Sequence, residues 1–307
     1  MSDLVRVTQV VRLPARRGDS NKGSYGHVLV VGGSMGMAGA VSLATNAALR
    51  GGAGLVTFAA PATIQPTIVP LAPCALSLPL ECDNRGQLAA GAVRQMLSAV
   101  KYTVLAVGPG MGRGSAQQNL VRAALGQDKP VVLDADGLNN LAGIDGWPAD
   151  RRCPLVLTPH PGELSRLLGK ETKAIQAERE NTAVQAVRTW SRDADVAAAP
   201  SKAKPQAADR PLVLVLKGQG TVVTDGRRVY VNDTGNPGMA SGGTGDVLTG
   251  LTAALIAQGL EPFDAACLAV WVHGRAGDLA AAKYGQVSLI ATDLLEFLPE
   301  ALKSVGG

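Results

Sequence analysis

HVLVVGG (residues 27–33), AGAVSLATNAALRGG (38–52) and GLVTFAAP (54–61) follow one another almost without a gap. The first reads as a buried strand running into a glycine turn. The second is an alanine-rich helix that ends at Gly51-Gly52, and the third is a strand again. Strand, helix and strand in so short a span form a βαβ unit, which implies a parallel pair with a right-handed crossover. The rhythm continues outward. YTVLAVGPGMG (102–112) is a strand entering glycines and SAQQNLVRAALG (115–126) a helix. PVVLDADGL (130–138) is a strand ending in acids, and PLVLTPHPGELSRLLG (154–169) a strand followed by a helix. The apolar runs are continuous rather than alternating, as expected when both faces of a parallel sheet are covered.

The pattern changes after Pro211. PLVLVLKG (211–218) is a strand, and TVVTDGRRVYVND (221–233) is two short strands around Asp225-Gly226, a hairpin signal. Three helices close the chain, at 244–259, 263–282 and 291–303. The segment 192–211, RDADVAAAPSKAKPQAADRP, lacks periodicity and reads as a surface insertion. These signals predict one α/β domain spanning residues 1–307, with three αβα layers around a mostly parallel, doubly wound sheet.

Composition narrows the function classes. Of 307 residues, 46% are hydrophobic and 18% charged, which suits a soluble protein with a large core. A net charge of +4 with only 3% aromatic residues offers no basic stripe interleaved with stacking rings, so nucleic acid is not an expected partner. Cys74, Cys82, Cys153 and Cys267 form no CxxC pair, which argues against a zinc site and for reduced thiols in the cytoplasm. No run reaches the roughly 18 apolar residues of a membrane helix.

In open α/β sheets, ligands sit beyond the carboxyl ends of the strands. GGSMGMAGA (32–40), GPGMG (108–112), DADGLN (134–139), TPHPGE (158–163) and KGQGT (217–221) all stand there. None is a Walker A loop or a G-x-G-x-x-G fingerprint; in GPGMGRG, Arg113 falls where the last glycine belongs. ASGGTGDVLTGLTAAL (240–255) places a glycine turn before a helix, with Val247, Leu248, Leu251 and Leu255 as an apolar stripe. Backbone N–H groups of such a turn and of the first helical turn form an anion cradle without a lysine. Asp246 then reads either as a first-turn acid favoured by the helix dipole or as a base beside the cradle. Lys217 reads as a phosphate contact or a solvated lysine, and His160 with Glu163 as a ligand group or a strand-ending turn. Asp134 and Asp136 could hold Mg²⁺ or water or be plain loop acids, and His273 reads as a packing histidine.

Taken together and in order, KGSYGHVLVVGGSMGMAGA (22–40), ALRGGAGLVT (48–57), GPGMG, VVLDADGLN (131–139), LTPHPGEL (157–164), VLKGQGTVV (215–223) and GNPGMASGGTGDVLTG (235–250) resemble the ADP/ATP-dependent NAD(P)H-hydrate dehydratases of the ribokinase-like superfamily. The resemblance runs from about Lys22 to about Leu294 and implies a ribokinase-like fold without a lid domain. The implied reaction repairs NADH or NADPH hydrated at C6 of the nicotinamide ring (NADHX, NADPHX). The nucleotide's terminal phosphoryl goes to the C6 hydroxyl, and phosphate then leaves. By resemblance, Asp246 is the catalytic acid-base residue, and Gly243, Thr244 and Gly245 form the anion hole. Lys217, Gly218, Gln219, Gly220, Thr221 and Gly245 bind the nucleotide. Ala40, Gly110, His160 and Asp246 bind the hydrate. Mg²⁺ is the implied cofactor, without an assigned ligand, and the bacterial type implies ADP, giving AMP, rather than ATP. A homo-oligomer is expected, as is an NAD(P)HX epimerase on a separate chain, because only about 20 residues precede the first motif. The alternative is a small-molecule alcohol kinase of the same superfamily, but those relatives typically carry Cys where Asp246 stands.

Overall fold

The computed structural model describes residues 4–98, 101–198 and 210–306. Its strands are β1 (Val5–Val7), β2 (His27–Val31), β3 (Leu55–Pro61), β4 (Leu76–Leu80), β5 (Val104–Val107), β6 (Val131–Leu133), β7 (Leu155–Leu157), β8 (Leu212–Leu216), β9 (Val222–Thr224) and β10 (Arg228–Val231). The helices are α1 (Ala38–Arg50), α2 (Gln65–Ile68), α3 (Ala92–Ser98), α4 (Ser115–Leu125), α5 (Asp136–Leu141), α6 (Trp147–Asp150), α7 (Pro161–Leu168) and α8 (Thr172–Ala177), then α9 (Arg179–Ala198), α10 (Thr244–Ala257), α11 (Pro262–Tyr284) and α12 (Ala291–Lys303).

All ten strands join one sheet in the order β1-β10-β9-β8-β7-β6-β5-β2-β3-β4. From β8 to β4 every neighbouring pair is parallel. The expected hairpin is present: β9 runs antiparallel to both β8 and β10, and Gly226 turns it at φ +84°. After β1, which pairs with β10 at the far edge, the chain lays down β2, builds β3 and β4 on one side, then returns to place β5 on the other. That reversal between β2 and β5 is the topological switch, where open α/β sheets bind ligands.

Both faces of the central strands are buried, so their side chains serve two cores in alternation. Val28, Val30, Val104, Ala106, Val213 and Val215 point into a core shared with α1, α10, α11 and α12. Leu29, Val31, Leu105, Val107, Leu212 and Leu214 point into the other, shared with α3 through α9. Helix α10 differs from the stripe its sequence suggested. Every residue from Val247 to Ile256 is buried, because α10 lies between the sheet and other helices. At Gly250 an added Cβ would sit 1.9 Å from the Ala44 carbonyl oxygen, so the backbones of α1 and α10 nearly touch. This contact fixes the middle of α10 against α1.

Two expectations need adjustment. β1 and β4 go unforeseen: VRV is short and exposed, and LSLPL carries a proline, tolerated because β4 is an edge strand. The segment 192–211 is not loop from its start, since α9 continues to Ala198. Residues 199–209 of that expected insertion lie outside the described residues. No helix among the described residues is long and apolar enough to cross a membrane.

Candidate active site

The carboxyl ends of β6, β7 and β8 and the head of α10 converge on one ammonium group. Lys217, just past β8, donates from Nζ to Asp134 Oδ1 at 2.6 Å, just past β6. Its Nζ also lies 3.9 Å from Glu163 Oε2, in the first turn of α7. Thr249 of α10 donates to the other oxygen, Asp134 Oδ2, at 2.7 Å. Asp134 is 1% exposed, so a buried carboxylate joins β6, β8 and α10 and neither of its oxygens is idle. Burial works against the charge on Lys217, but Asp134, Glu163 and Asp246 outweigh it and hold the lysine above its ordinary pKa. Four motifs far apart in the chain therefore meet at Lys217.

The second acid of DADGLN does different work. Asp136 Oδ2 accepts from the Gly112 N–H at 2.9 Å, and Asn140 Oδ1 accepts from Gly114 N–H at 3.2 Å. Asp136 therefore shapes the GPGMGRG loop rather than the cleft around Lys217. Ala135 between the two acids has φ +49°, and no other non-glycine among the described residues has a positive φ. Such a conformation costs roughly 1–3 kcal/mol and persists only where surroundings enforce it. Here Gly108 presses on the Asp134 carbonyl: an added Cβ would be 1.9 Å from that oxygen.

His160 is the N-cap of α7. Its Nδ1 accepts from Gly162 N–H at 3.0 Å and Glu163 N–H at 3.3 Å, and Glu163 Oε2 accepts from His160 N–H at 2.8 Å. Because Nδ1 is an acceptor, the ring proton sits on Nε2, 3.4 Å from Glu163 Oε1. Burial and the nearby Lys217 push His160 below its ordinary pKa, so the ring is neutral. Burial pushes the Glu163 carboxyl up, with Lys217 opposing. The His160 side chain stays 52% exposed and open to a ligand.

Helix α10 begins without a side-chain cap. Its N-cap is Gly243, at φ +92°, and the first N–H groups of the helix have no side-chain acceptor. Leu43 of α1 and Ala291 of α12 flank Gly243. His273 of α11 donates from Nε2 to the Thr244 carbonyl at 2.8 Å, and burial pushes its pKa down to about 4. It is a neutral packing histidine, as expected, that steadies the turn. Gly245 lies against the lysine: an added Cβ would be 3.2 Å from Lys217 Nζ.

Asp246 follows in the same turn. The dipole of the helix N-terminus favours the charged form, but the surroundings of Asp246 do the reverse. Burial, then the charge of Asp134, then Glu163 and Asp136, push it up to about 7, with Lys217 pulling down. The dipole effect, typically 0.3–1 kcal/mol near the surface, is the smaller influence. Asp246 therefore exchanges its proton near neutral pH.

Ala40 and Gly110 meet at the topological switch. Gly110 has φ +62°, and an added Cβ there would lie 3.1 Å from the Ala40 Cβ and 2.8 Å from the Met37 Cβ. Ser34 Oγ donates to the Gly110 carbonyl at 2.8 Å. No hydrogen bond joins Ala40 or Gly110 to Lys217 or His160 among the described residues. The link runs through α1, whose Leu43 reaches Gly243. In the 217–221 turn, Gly218 and Gly220 have φ +131° and +59°, and Thr221 Oγ1 donates to the Gly218 carbonyl at 2.8 Å.

Sequence reading overlooked two residues here. Thr249 stands one turn beyond Asp246 on a helix whose buried face could not be read. Arg179, at the start of α9, reaches the carbonyls of the 217–220 turn. Thr249 lies inside the 235–250 motif but carries no signal of its own there, and Arg179 lies in no motif.

Comparison with known proteins now gives the family. Residues 28–300 match the family model described as NAD(P)H-hydrate dehydratase. Over 298 residues the chain is 43% identical to the bifunctional NAD(P)H-hydrate repair enzyme Nnr of Moorella thermoacetica, an alignment covering 96% of this chain and 52% of that protein. With Nnr of Coxiella burnetii the identity is 42% over 290 residues, covering 93% and 52%. The chain thus spans about half the length of the curated relatives it matches. Among solved structures, the ADP/ATP-dependent NAD(P)H-hydrate dehydratase from Bacillus subtilis, co-crystallized with ATP/Mg²⁺, superposes with a TM-score of 0.78 at 30% identity, covering 96% of this chain and 95% of that one. A ribokinase-like superfamily protein from Enterococcus faecalis V583 shares the fold at 22% identity and a TM-score of 0.73, covering 99% and 97%. An α/β sheet of ribokinase-like type, a match over nearly its whole length and these identities place the chain in the NAD(P)H-hydrate dehydratase family.

Proposed function

We propose that the protein dehydrates NADHX and NADPHX at the expense of ADP, releasing AMP and phosphate. The observation that carries this reading is Asp246, a carboxyl with a pKa of about 7, one residue past an uncapped helix head that adjoins Lys217. The N–H groups of Gly243, Thr244 and Gly245 hold the moving phosphoryl, and Asp246 takes the proton of the attacking C6 hydroxyl. A base poised near the working pH suits that role. Lys217 and the turn through Thr221 hold the nucleotide's phosphates. Ala40, Gly110 and His160 hold the hydrate, His160 as a neutral donor from Nε2. Phosphorylation converts hydroxide, a poor leaving group, into phosphate. The lone pair of the ring nitrogen expels it, and loss of a proton from C5 to the released phosphate restores the dihydronicotinamide.

Mg²⁺, held by the nucleotide's phosphates and water, would supply charge neutralisation on those phosphates when bound. Among the described residues no group of three His, Cys, Asp or Glu side chains forms a metal cage. None is required, since Mg²⁺ usually keeps waters and substrate phosphates as ligands. Among the protein's own cations, Lys217 is the one paired with Asp134 at the site. ADP is the proposed donor and ATP the alternative. An NAD(P)HX epimerase is the functional companion, a cytoplasmic location suits four unbridged cysteines, and homo-oligomeric assembly accompanies the function.

The reading is tested by incubating the protein with hydrated NADH, Mg²⁺ and either ADP or ATP. The expected result is return of dihydronicotinamide absorbance with release of phosphate. A stable phosphate ester as end product points instead to an alcohol kinase, and no return with either nucleotide overturns the proposal.

A further inference from the structure

We propose that Arg179 is a positioning residue for the nucleotide. Its guanidinium gathers the carbonyls of the 217–220 turn and so aims that turn's N–H groups at the ligand. The inference rests on the nucleotide role proposed for this turn.

Arg179 opens α9 and reaches across to the end of β8. Its Nη2 lies 2.9 Å from the Leu216 carbonyl oxygen, 3.2 Å from that of Lys217 and 3.4 Å from that of Gly220. Its Nη1 donates to Gln176 Oε1 at 2.6 Å, which fixes the plane of the guanidinium. In a trans peptide the C=O and the following N–H point in opposite directions. Capturing the Lys217 carbonyl therefore turns the Gly218 N–H away from Arg179, and capturing the Gly220 carbonyl does the same for Thr221. The rule holds where it can be checked: the Leu216 carbonyl faces Arg179, and the Lys217 N–H points elsewhere, to the Pro159 carbonyl at 2.9 Å. Among the described residues no protein acceptor faces the N–H of Gly218 or Gln219.

The turn packs directly against this cation. An added Cβ on Gly218 would lie 3.3 Å from Nη1, so the guanidinium fills the space beneath it. Arg179 Nε is buried with no hydrogen-bond partner, an unmet donor that costs stability. Burial also lowers the pKa of this arginine. A residue kept for packing alone gains nothing from a buried cation with an orphaned donor. One kept to hold three carbonyls in register does, because a preorganised site loses less freedom on binding.

The test uses Arg179→Met and Arg179→Lys in the full chain, with Gly218→Val as a variant of the turn itself. Equilibrium ADP binding, steady-state kinetics and thermal unfolding are measured on each. Arg179→Met is expected to raise the Kd and KM for ADP about tenfold or more, the worth of one or two charge-assisted hydrogen bonds. The value of kcat at saturating ADP stays within about threefold, and KM for the hydrate is unchanged. Arg179→Lys falls between Met and wild type. An unchanged ADP Kd in both Arg179 variants, with a weakened one in Gly218→Val, overturns the proposal and leaves the nucleotide turn standing. A fall in kcat at constant KM, tracking lost thermal stability, also overturns it. If Gly218→Val binds ADP normally too, the turn is not the nucleotide site, and the reading and the proposal fall together.

Discussion

Asp246→Asn is expected to retain ADP affinity and to lose about 10²- to 10⁴-fold in turnover, the usual worth of a positioned general base. The amide keeps the size of the side chain, and the cradle N–H groups come from the backbone, so nucleotide binding has no reason to fail. The same substitution is expected to stabilise the protein at neutral and alkaline pH. A carboxyl whose pKa is raised in the folded state favours folding below its unfolded pKa, and that advantage disappears as pH rises through the folded value. For Asp246 the window runs from the ordinary 3.8 to about 7. Above it, replacing the carboxylate removes a penalty on the order of 4 kcal/mol. Thermal unfolding at pH 8 is thus expected to occur at higher temperature in the variant, with the difference vanishing near pH 4. Wild-type kcat/KM falls below about pH 7 as Asp246 takes up its proton. Lower stability of Asp246→Asn at pH 8, or wild-type turnover, contradicts this role.

Lys217→Met carries the second large effect, on stability and on binding together. The substitution leaves Asp134, 1% exposed, without the ammonium 2.6 Å away. Breaking a buried pair by removing one partner typically costs about 3–5 kcal/mol, because the remaining charge is stranded. Lys217 also lowers the pKa of both Asp246 and Glu163. Without it both rise further, so the acid limb of any residual activity moves above about pH 7. Chemical denaturation of Lys217→Met, Asp134→Asn and the double variant checks the origin of the loss. The double variant is expected to recover part of it, since no unpaired charge remains at Asp134. If the two losses simply add, Lys217 and Asp134 are not coupled.

The parts legible in sequence were those with a strong local signature. Val28–Val31, Val104–Val107, Val131–Leu133 and Leu212–Leu216 announced a parallel sheet because strands covered on both faces are apolar throughout. The short edge strands β1 and β4 did not, since one side of each is open and little apolar character is required there. The glycine turn at 242–245 was readable as an anion cradle from its backbone chemistry alone. Its electrostatics were not. Asp134 and Lys217 stand 83 residues apart and meet only because β6 and β8 flank β7 in one sheet. The pKa of Asp246 depends on burial first and then on that meeting, and a local rule about helix dipoles contains neither. His160 shows the same limit: its prolines marked a turn, but its neutral ring and bound Nδ1 follow from the capping geometry of α7.

If the phosphoryl passes from nucleotide to C6 hydroxyl inside this cleft, the hydroxyl oxygen must leave on phosphate. Hydrated NADH prepared in oxygen-18 water carries the label at C6. It is then incubated in ordinary water with ADP, Mg²⁺ and the protein, and the released phosphate is analysed by mass spectrometry. The expected result is one labelled oxygen in each phosphate and one phosphate for each ring restored. Unlabelled phosphate, with the label recovered in water, would contradict a transfer between two ligands at Asp246 and the Gly243–Gly245 cradle.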